Sequence, residues 1–200
     1  MSARRAVIID NGGANIASLR FALDRLGTQA ELSADAGRIR NASHVLLPGV
    51  GAAGDAMQRL RDRGLDTLIP RLTQPLLGIC LGMQLLFDSS AEGDTACLGI
   101  LPGRAGRLPA ARDRPVPHMG WNTLQPCSPS PLLSALPERA WAYFVHSFAL
   151  PVSGCTTARC DYGVGFSACV QRDNFFGTQF HPERSAAVGA RVLQNFLALD

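Results

Sequence analysis

The chain has 200 residues, 46% of them hydrophobic and 18% charged, with a net charge of +3. This length and composition predict a single domain over residues 1–200 and exclude a disordered or low-complexity protein. The small net charge gives no support for a nucleic-acid partner. All 19 basic residues are arginines, which excludes Schiff-base and P-loop lysines.

The sequence predicts a cytoplasmic protein. No run approaches the roughly 20 apolar residues of a membrane span, and the first apolar run, Ala6–Ile9, is too short for the core of a signal peptide. The six cysteines form no CxxC pair and match no zinc or disulfide framework. We therefore expect reduced thiols, a reducing compartment and no membrane contact.

The first half of the chain alternates short apolar strands with amphipathic helices, which favours a parallel sheet with helices on both faces. The predicted strands are Ala6–Ile9, Gln29–Leu32, Val45–Leu47 and Leu76–Ile79. The predicted helices are Asn15–Leu26, Gly54–Arg63 and Leu81–Asp88.

The second half consists mainly of short β-prone segments broken by glycine and proline. The predicted strands there are Trp141–Phe148, Thr156–Cys160, Phe166–Gln171 and Phe175–Phe180. Asp173-Asn174 predicts a hairpin turn between the last two strands, and Ser185–Leu199 predicts a closing amphipathic helix. The predicted fold class is α/β: an open, largely parallel twisted sheet with flanking helices and an antiparallel β extension in the C-terminal half.

A glycine-flanked cysteine stands where a predicted strand meets a predicted helix. The segment Gly78-Ile79-Cys80-Leu81-Gly82 has the spacing of a nucleophile elbow with cysteine in place of serine. Side chains two residues either side would collide in so sharp a turn. The helix dipole would favour the thiolate, and the Leu81 N–H would be free to bind an oxyanion. Taken alone, the motif is equally compatible with a buried structural cysteine.

Among the four histidines, His181 has the setting of a catalytic base. It follows a predicted strand in His181-Pro182-Glu183, and in extended backbone the side chains of His181 and Glu183 leave on the same side. A carboxylate beside an imidazole fixes its tautomer and stabilises its cation. The other histidines are expected at the surface or core edge, for His44, and in the walls of a site or an interface, for His118 and His146.

A second oxyanion donor is predicted in Pro48-Gly49-Val50-Gly51, which follows a buried strand. Ligands of open α/β folds bind at the carboxyl edge of the sheet, where this segment would lie. Its glycines allow backbone N–H groups to turn towards a ligand. A plain strand-to-helix turn remains the alternative for this segment alone.

Together these motifs resemble the class I, or triad, glutamine amidotransferases. The matching segments, in the chain order of that family, are Pro48–Gly51, GICLGMQ at Gly78–Gln84 and FHPE at Phe180–Glu183. Within the family the chain is similar to the glutaminase subunits of imidazole glycerol phosphate synthase. The segments that carry this closer resemblance are Ile9-Asp10 with Asn15, PHMGWN at Pro117–Asn122, YFVHSF at Tyr143–Phe148 and FHPERS through Ser185.

The resemblance implies a role for each matching position. Cys80, His181 and Glu183 would form the triad, and the backbone N–H groups of Val50 and Leu81 the oxyanion hole. The positions implied around bound glutamine are Gly49, Gly51, Gln84, His146 and Ser147. The positions implied at a partner interface are Asn15, Met119, Trp121, Asn122, Tyr143 and Arg184.

The implied activity is hydrolysis of L-glutamine to glutamate and ammonia, without a metal or an organic cofactor. The implied partner is a cyclase subunit, expected to be a (β/α)8 barrel, which receives the ammonia in histidine biosynthesis. We expect the free subunit to be poorly active until the partner forms the oxyanion hole through the flexible Gly49-Val50-Gly51 segment. The family pattern is changed at Asn11, Ala14, Phe148 and Arg184, and these changes concern partner contacts and coupling rather than the triad.

Three alternatives follow from the same residues. The first is another amidotransferase subunit, such as the one that serves pyridoxal phosphate synthase, and PHMGWN argues against it. The second is a non-catalytic scaffold, which the intact Cys, His and Glu disfavour. The third is a general cysteine hydrolase, which substrate preference would distinguish.

Overall fold

The computed structural model describes residues 5–12 and 16–200. The strands are β1 (Ala6–Ile9), β2 (Ala30–Ser33), β3 (His44–Gly49), β4 (Leu76–Cys80), β5 (Phe87–Ser90), β6 (Thr95–Ala96), β7 (Leu101–Arg107), β8 (His118–Pro126), β9 (Ala140–His146), β10 (Phe148–Ala149), β11 (Thr156–Asp161), β12 (Gly165–Arg172) and β13 (Phe175–Thr178). The helices are α1 (Ile16–Arg25), α2 (Ala36–Arg40), α3 (Ala53–Asp62), α4 (Leu65–Leu68), α5 (Leu81–Gln84) and α6 (Ala186–Leu197).

Nine strands form one sheet in the order β2-β1-β3-β4-β13-β12-β11-β8-β9. The pairings from β2 through β13 are parallel. The pairings from β13 through β9 are antiparallel. The predicted α/β fold class, with its antiparallel extension in the C-terminal half, is therefore confirmed.

Helices cover both faces of this sheet, and β1 shows why. Ala6 and Ile8 pack in one hydrophobic core, whereas Val7 and Ile9 pack in another. Successive side chains of a strand point to opposite faces, so a strand that is apolar throughout is buried on both. The first core contains apolar residues of α1 and α6, and the second contains those of α2, α3 and α4.

The predicted helix Leu81–Asp88 is wrong after its first turn. Helix α5 ends at Gln84, and strand β5 begins at Phe87. Leu85, Leu86 and Phe87 are all buried, so this run has no polar face that a longer helix could present to solvent. Phe87 instead pairs with Leu101 of β7 in a second sheet, of order β10-β7-β5-β6, which was not predicted.

Strand β8 of the main sheet was not predicted, and the remaining differences concern element ends and short helices. The predicted helices Asn15–Leu26 and Gly54–Arg63 occur as α1 and α3, although Asn15 lies outside the described residues. The short helices α2 and α4 were not predicted. The turn at Asp173-Asn174 is confirmed, with Asp173 at a φ of 51°. Across residues 5–12 and 16–200, none of the helices combines the length and apolarity that crossing a bilayer requires.

Candidate active site

The candidate nucleophile Cys80 ends β4 in a strained turn. Its φ of 55° and ψ of −114° are rarely adopted by a residue with a side chain. A Cβ on Gly82 would lie 1.8 Å from the Leu47 carbonyl oxygen, and one on Gly78 would lie 2.7 Å from the Gly82 oxygen. The spacing of the two glycines is therefore a steric requirement of this turn, as the sequence predicted.

Helix α5, which follows Cys80, is only one turn long, from Leu81 to Gln84. The predicted contribution of a helix dipole to the thiolate is therefore smaller than the sequence suggested, since the macrodipole grows with aligned peptide units. The Leu81 N–H opens the helix and so has no acceptor within it. Gly49 lies against this turn, because a Cβ there would be 2.6 Å from the Gly82 nitrogen.

The sheet brings His181 and Glu183 next to Cys80. Strands β4 and β13 are parallel neighbours, with Ile79 opposite Thr178, so their carboxyl ends meet. His181 Nδ1 lies 2.8 Å from Glu183 Oε1. The sequence predicted an extended backbone that would place both side chains on the same side. This prediction is wrong, because Pro182–Arg184 form a 3-10 turn. The turn nevertheless brings the two side chains together.

The charge state of His181 follows from its neighbours. Burial alone would lower the pKa of His181, but hydrogen bonding and charge from Cys80 and Glu183 outweigh it and raise this pKa to about 10. His181 Nε2 is buried and has no hydrogen bond of regular geometry with any described residue. The imidazolium can therefore donate a proton from Nε2 while Glu183 holds Nδ1.

A cavity of about 410 Å³ opens over Cys80. Eleven of the predicted site residues line it: Gly49, Val50, Gly51, Cys80, Leu81, Gln84, His146, Ser147, His181, Glu183 and Arg184. We call this cavity the cleft. A larger groove of about 1340 Å³ lies between α1, β2 and α2, and it contains none of the predicted site residues.

Four residues predicted at the partner interface lie outside the cleft: Met119, Trp121, Asn122 and Tyr143. Met119 and Trp121 on β8 are 67% and 50% exposed. Trp121 packs edge-on against Tyr143 of β9, with ring centroids 5.9 Å apart. The Asn122 side chain is instead held by this chain, since its Nδ2 donates to the Asp161 carbonyl at 2.9 Å. Asn15 lies outside the described residues.

Ser185 and Asn11 form hydrogen bonds that link the cleft to neighbouring elements. Ser185 Oγ accepts from Tyr143 N at 2.9 Å and donates to the His181 carbonyl at 2.7 Å, which fastens β9 to the candidate triad. Asn11 Nδ2 donates at 2.7 Å to the carbonyl of Pro48, the first residue of the predicted oxyanion segment. In the sequence, Asn11 stands out only as a change from the family pattern.

Sequence reasoning missed two polar residues at the site. Glu92 lines the cleft, and its Oε2 accepts from the Ala53 N–H at 2.8 Å, at the start of α3. Gln179 lies beneath the cleft with its Nε2 3.8 Å from Cys80 Sγ. Neither residue stands in a motif with a recognisable chemical spacing. Only the position of Gln179, two residues before His181, pointed to the site.

Comparison with known proteins agrees with this geometry. The model of the family "Glutamine amidotransferase class-I" matches residues 7–199. The chain is 55% identical, over 96% of both chains, to the imidazole glycerol phosphate synthase subunit HisH of Xylella fastidiosa strain Temecula1. The same figures hold for the HisH protein of Xanthomonas axonopodis pv. citri.

Solved structures share the fold at low sequence identity. One is described as a glutamine amidotransferase, with a TM-score of 0.74 and 18% identity over 96% of both chains. Another is a glutamine amidotransferase from Thermotoga maritima, with a TM-score of 0.65 and 18% identity over 98% of this chain and 83% of that one. From the family match and the 55% identity, the chain belongs to the class-I glutamine amidotransferases and, among them, to the HisH subunits of imidazole glycerol phosphate synthase.

Proposed function

We propose that this chain hydrolyses L-glutamine to glutamate and ammonia at Cys80 and passes the ammonia to a cyclase subunit. One observation carries the proposal. Cys80 and the hydrogen-bonded pair of His181 and Glu183 meet at the ends of neighbouring strands, at the floor of a cleft. A cysteine, a base and a group that orients the base are the parts that nucleophilic catalysis of acyl transfer requires.

In the proposed reaction the Cys80 sulfur attacks the carboxamide carbon of glutamine. The backbone N–H groups of Val50 and Leu81 hold the oxyanion. His181 protonates the departing ammonia from Nε2, while Glu183 stabilises the imidazolium through Nδ1. His181 then takes a proton from water, which hydrolyses the glutamyl thioester and restores the thiol. The raised pKa of His181 suits the first of these steps, in which the imidazolium acts as an acid.

The cleft also suits the amino-acid end of the substrate. Glutamine carries an α-ammonium and an α-carboxylate, and the cleft is lined by the acidic Glu92 and the basic Arg184. We assign Glu92 to the ammonium, since one carboxylate oxygen is already held by Ala53 N–H and orients the group. Gly49, Gly51, Gln84, His146 and Ser147 complete the proposed binding surface.

The proposed partner surface consists of Met119, Trp121 and Tyr143. Exposed aromatic side chains are typical of protein interfaces, and the relatives are subunits of a synthase. Ammonia must reach its acceptor before bulk water protonates it, so a sealed contact with the cyclase is expected. There the cyclase would make imidazole glycerol phosphate and an aminoimidazole carboxamide ribotide. Asn15, Asn122 and Arg184 stay predicted contributors to this interface.

We further infer that residues 1–200 act as one domain and that the protein is cytoplasmic. A single sheet that joins strands from both halves of the chain supports one domain. Six unpaired cysteines support a reducing compartment.

The test is glutamate release from glutamine by the purified chain, alone and with the cyclase plus its ribonucleotide substrate. We expect strong release only in the complex, and its loss in the Cys80→Ala variant. A Cys80→Ala complex as active as the unchanged one would refute the proposed nucleophile. No release under any condition, with the cyclase still bound, would favour the scaffold alternative.

A further inference from the structure

A buried side-chain amide reaches the candidate nucleophile from beneath the cleft. Gln179 is fully buried, and its Nε2 lies 3.8 Å from Cys80 Sγ, within reach of an N–H···S hydrogen bond. Gln179 does not line the cleft, so a substrate can bind there without displacing it. The thiol itself donates to the Val145 carbonyl oxygen at 3.7 Å.

The neighbours of Gln179 determine which end of its amide faces the sulfur. Gln84 Nε2 donates to the Phe148 carbonyl at 2.8 Å and to Gln179 Oε1 at 2.9 Å. A carbonyl can only accept, so Phe148 fixes the nitrogen of Gln84 on its side. The two N–H groups of that nitrogen are then both used, and Gln179 must offer its oxygen to Gln84. Its own nitrogen therefore faces Cys80.

The Phe148 carbonyl accepts a hydrogen bond from the buried His146, which in turn contacts the buried His118. His146 Nδ1 donates to the carbonyl at 2.9 Å, and His118 Nδ1 lies 3.1 Å from His146 Nε2. Burial lowers the pKa of His146 to about 3 and that of His118 to about 4, so each ring is neutral and carries one N–H. His146 donates from Nδ1 and must accept at Nε2, so His118 donates to it.

We propose that Gln179 is a catalytic residue that stabilises the Cys80 thiolate through its side-chain N–H, and that His118 is a positioning residue for this amide. The proposal rests on Cys80 being the nucleophile. A hydrogen bond to a charged sulfur is stronger than one to a neutral thiol, and more so in a site without water. The bond therefore favours the thiolate before attack and again when the thioester breaks. No proton moves to or from Gln179 in either step.

The test compares Gln179→Met and Gln179→Glu in the complex with the cyclase subunit. Gln179→Met removes the donor at similar volume, whereas Gln179→Glu keeps the acceptor for Gln84 and sets a second oxygen against the sulfur. Gln171→Glu is the matched control, because Gln171 lies on β12 and its Oε1 accepts from Ser130 Oγ at 2.7 Å. The first readout is the rate of Cys80 alkylation by iodoacetamide at pH 7, measured on the Cys80 peptide by mass spectrometry. The second is kcat and KM for glutamate release.

We expect alkylation and kcat to fall about tenfold or more in both Gln179 variants, with KM changed less than about twofold. His118→Phe keeps a ring against Tyr162 and Phe144 but loses the donor to His146, and it should slow Cys80 alkylation about threefold. Unchanged alkylation and kcat in a Gln179 variant that melts like the unchanged protein would overturn the proposal. If Gln179→Met does not fold, Gln179→Glu decides. Slower alkylation of the Gln179 variants, in a protein whose unchanged form releases no glutamate, would mean that the proposed function, not the role of Gln179, is wrong.

Discussion

A methyl group added at Gly82 would prevent the turn that carries Cys80 from forming. The Gly82 position has no room for a Cβ, because the Leu47 carbonyl oxygen would lie 1.8 Å from it. That oxygen belongs to the centre of β3, so it cannot move without breaking the sheet. Position 82 therefore requires glycine because a side chain would collide with the backbone of β3, and not because of substrate binding.

Gly82→Ala is expected to lower the free energy of unfolding by about 3 kcal/mol or more and to abolish glutamate release. The matched control is Gly106→Ala in β7, where an added Cβ meets no atom within 4 Å. Urea denaturation of both variants measures the difference. Equal stability of the two would show that the turn can relax around a side chain.

The charge on His181 predicts a dependence of stability on alkaline pH. The pKa of His181 is raised from 6.5 to about 10, so its contribution to folding is complete below about pH 6.5 and is lost as the pH rises towards 10. Glu183→Gln removes one cause of the raised pKa. It should flatten the fall in unfolding free energy between pH 7 and 10 and lower kcat about a hundredfold. Urea titrations across this range are the measurement, and an equally steep fall in the variant would contradict the assignment.

At the scale of elements, the sequence predicted strands and helices best where an apolar run ended at glycine or proline. It did so for β3 and α1, whose apolar runs meet Pro48 and Gly27. It was wrong after Gln84, because burial on all sides of Leu85–Phe87 depends on a second sheet that forms with distant residues. Periodicity within one segment cannot reveal such a partner.

At the candidate site, too, the sequence predicted the residues of local motifs but not those that act through long-range contacts. The glycines around Cys80 and the spacing of His181 and Glu183 stood in local motifs, so the sequence alone predicted them. Gln179 and Glu92 act through contacts with Cys80 and Ala53, 99 and 39 residues away. No local pattern marks these contacts, since the sheet order creates them.

The Ser185 hydroxyl links β9 to the candidate triad through two hydrogen bonds, and this link gives a prediction about stability. Ser185→Ala leaves the Tyr143 N–H without its acceptor, which should cost about 1–3 kcal/mol of unfolding free energy. Ser134→Ala is the control, because Ser134 is exposed and its described hydrogen bonds use only its backbone. Urea denaturation compares them. A Ser185→Ala variant as stable as the control would show that water replaces the hydroxyl.

At the scale of the whole molecule, the two edges of the main sheet differ. One edge, at β8 and β9, presents the large side chains of Met119, Trp121 and Trp141, all more than a third exposed. The other edge ends at β2, where Leu32 is 38% exposed. Clustered exposed apolar side chains mark interaction surfaces more reliably than single ones.

Trp121→Ala is expected to raise the Kd of the complex with the cyclase by about tenfold to a hundredfold, as loss of a buried aromatic anchor does. Leu32→Ala, at the opposite edge, should leave this Kd unchanged. Isothermal titration with the cyclase measures both. Equal weakening by the two variants would exclude β8 as the specific contact.

Because β4 and β13 are neighbours in the sheet but far apart in the chain, the candidate site can be completed only late in translation. Strand β4, which ends at Cys80, is made well before its neighbour β13, since Cys80 and Gln179 are 99 residues apart. At about 5–20 residues per second, translation leaves an interval of several seconds in which Cys80 has emerged but His181 has not been made. A ribosome-bound or prematurely ended chain therefore has a cysteine without its acid, and it cannot release ammonia before the last strand is in place.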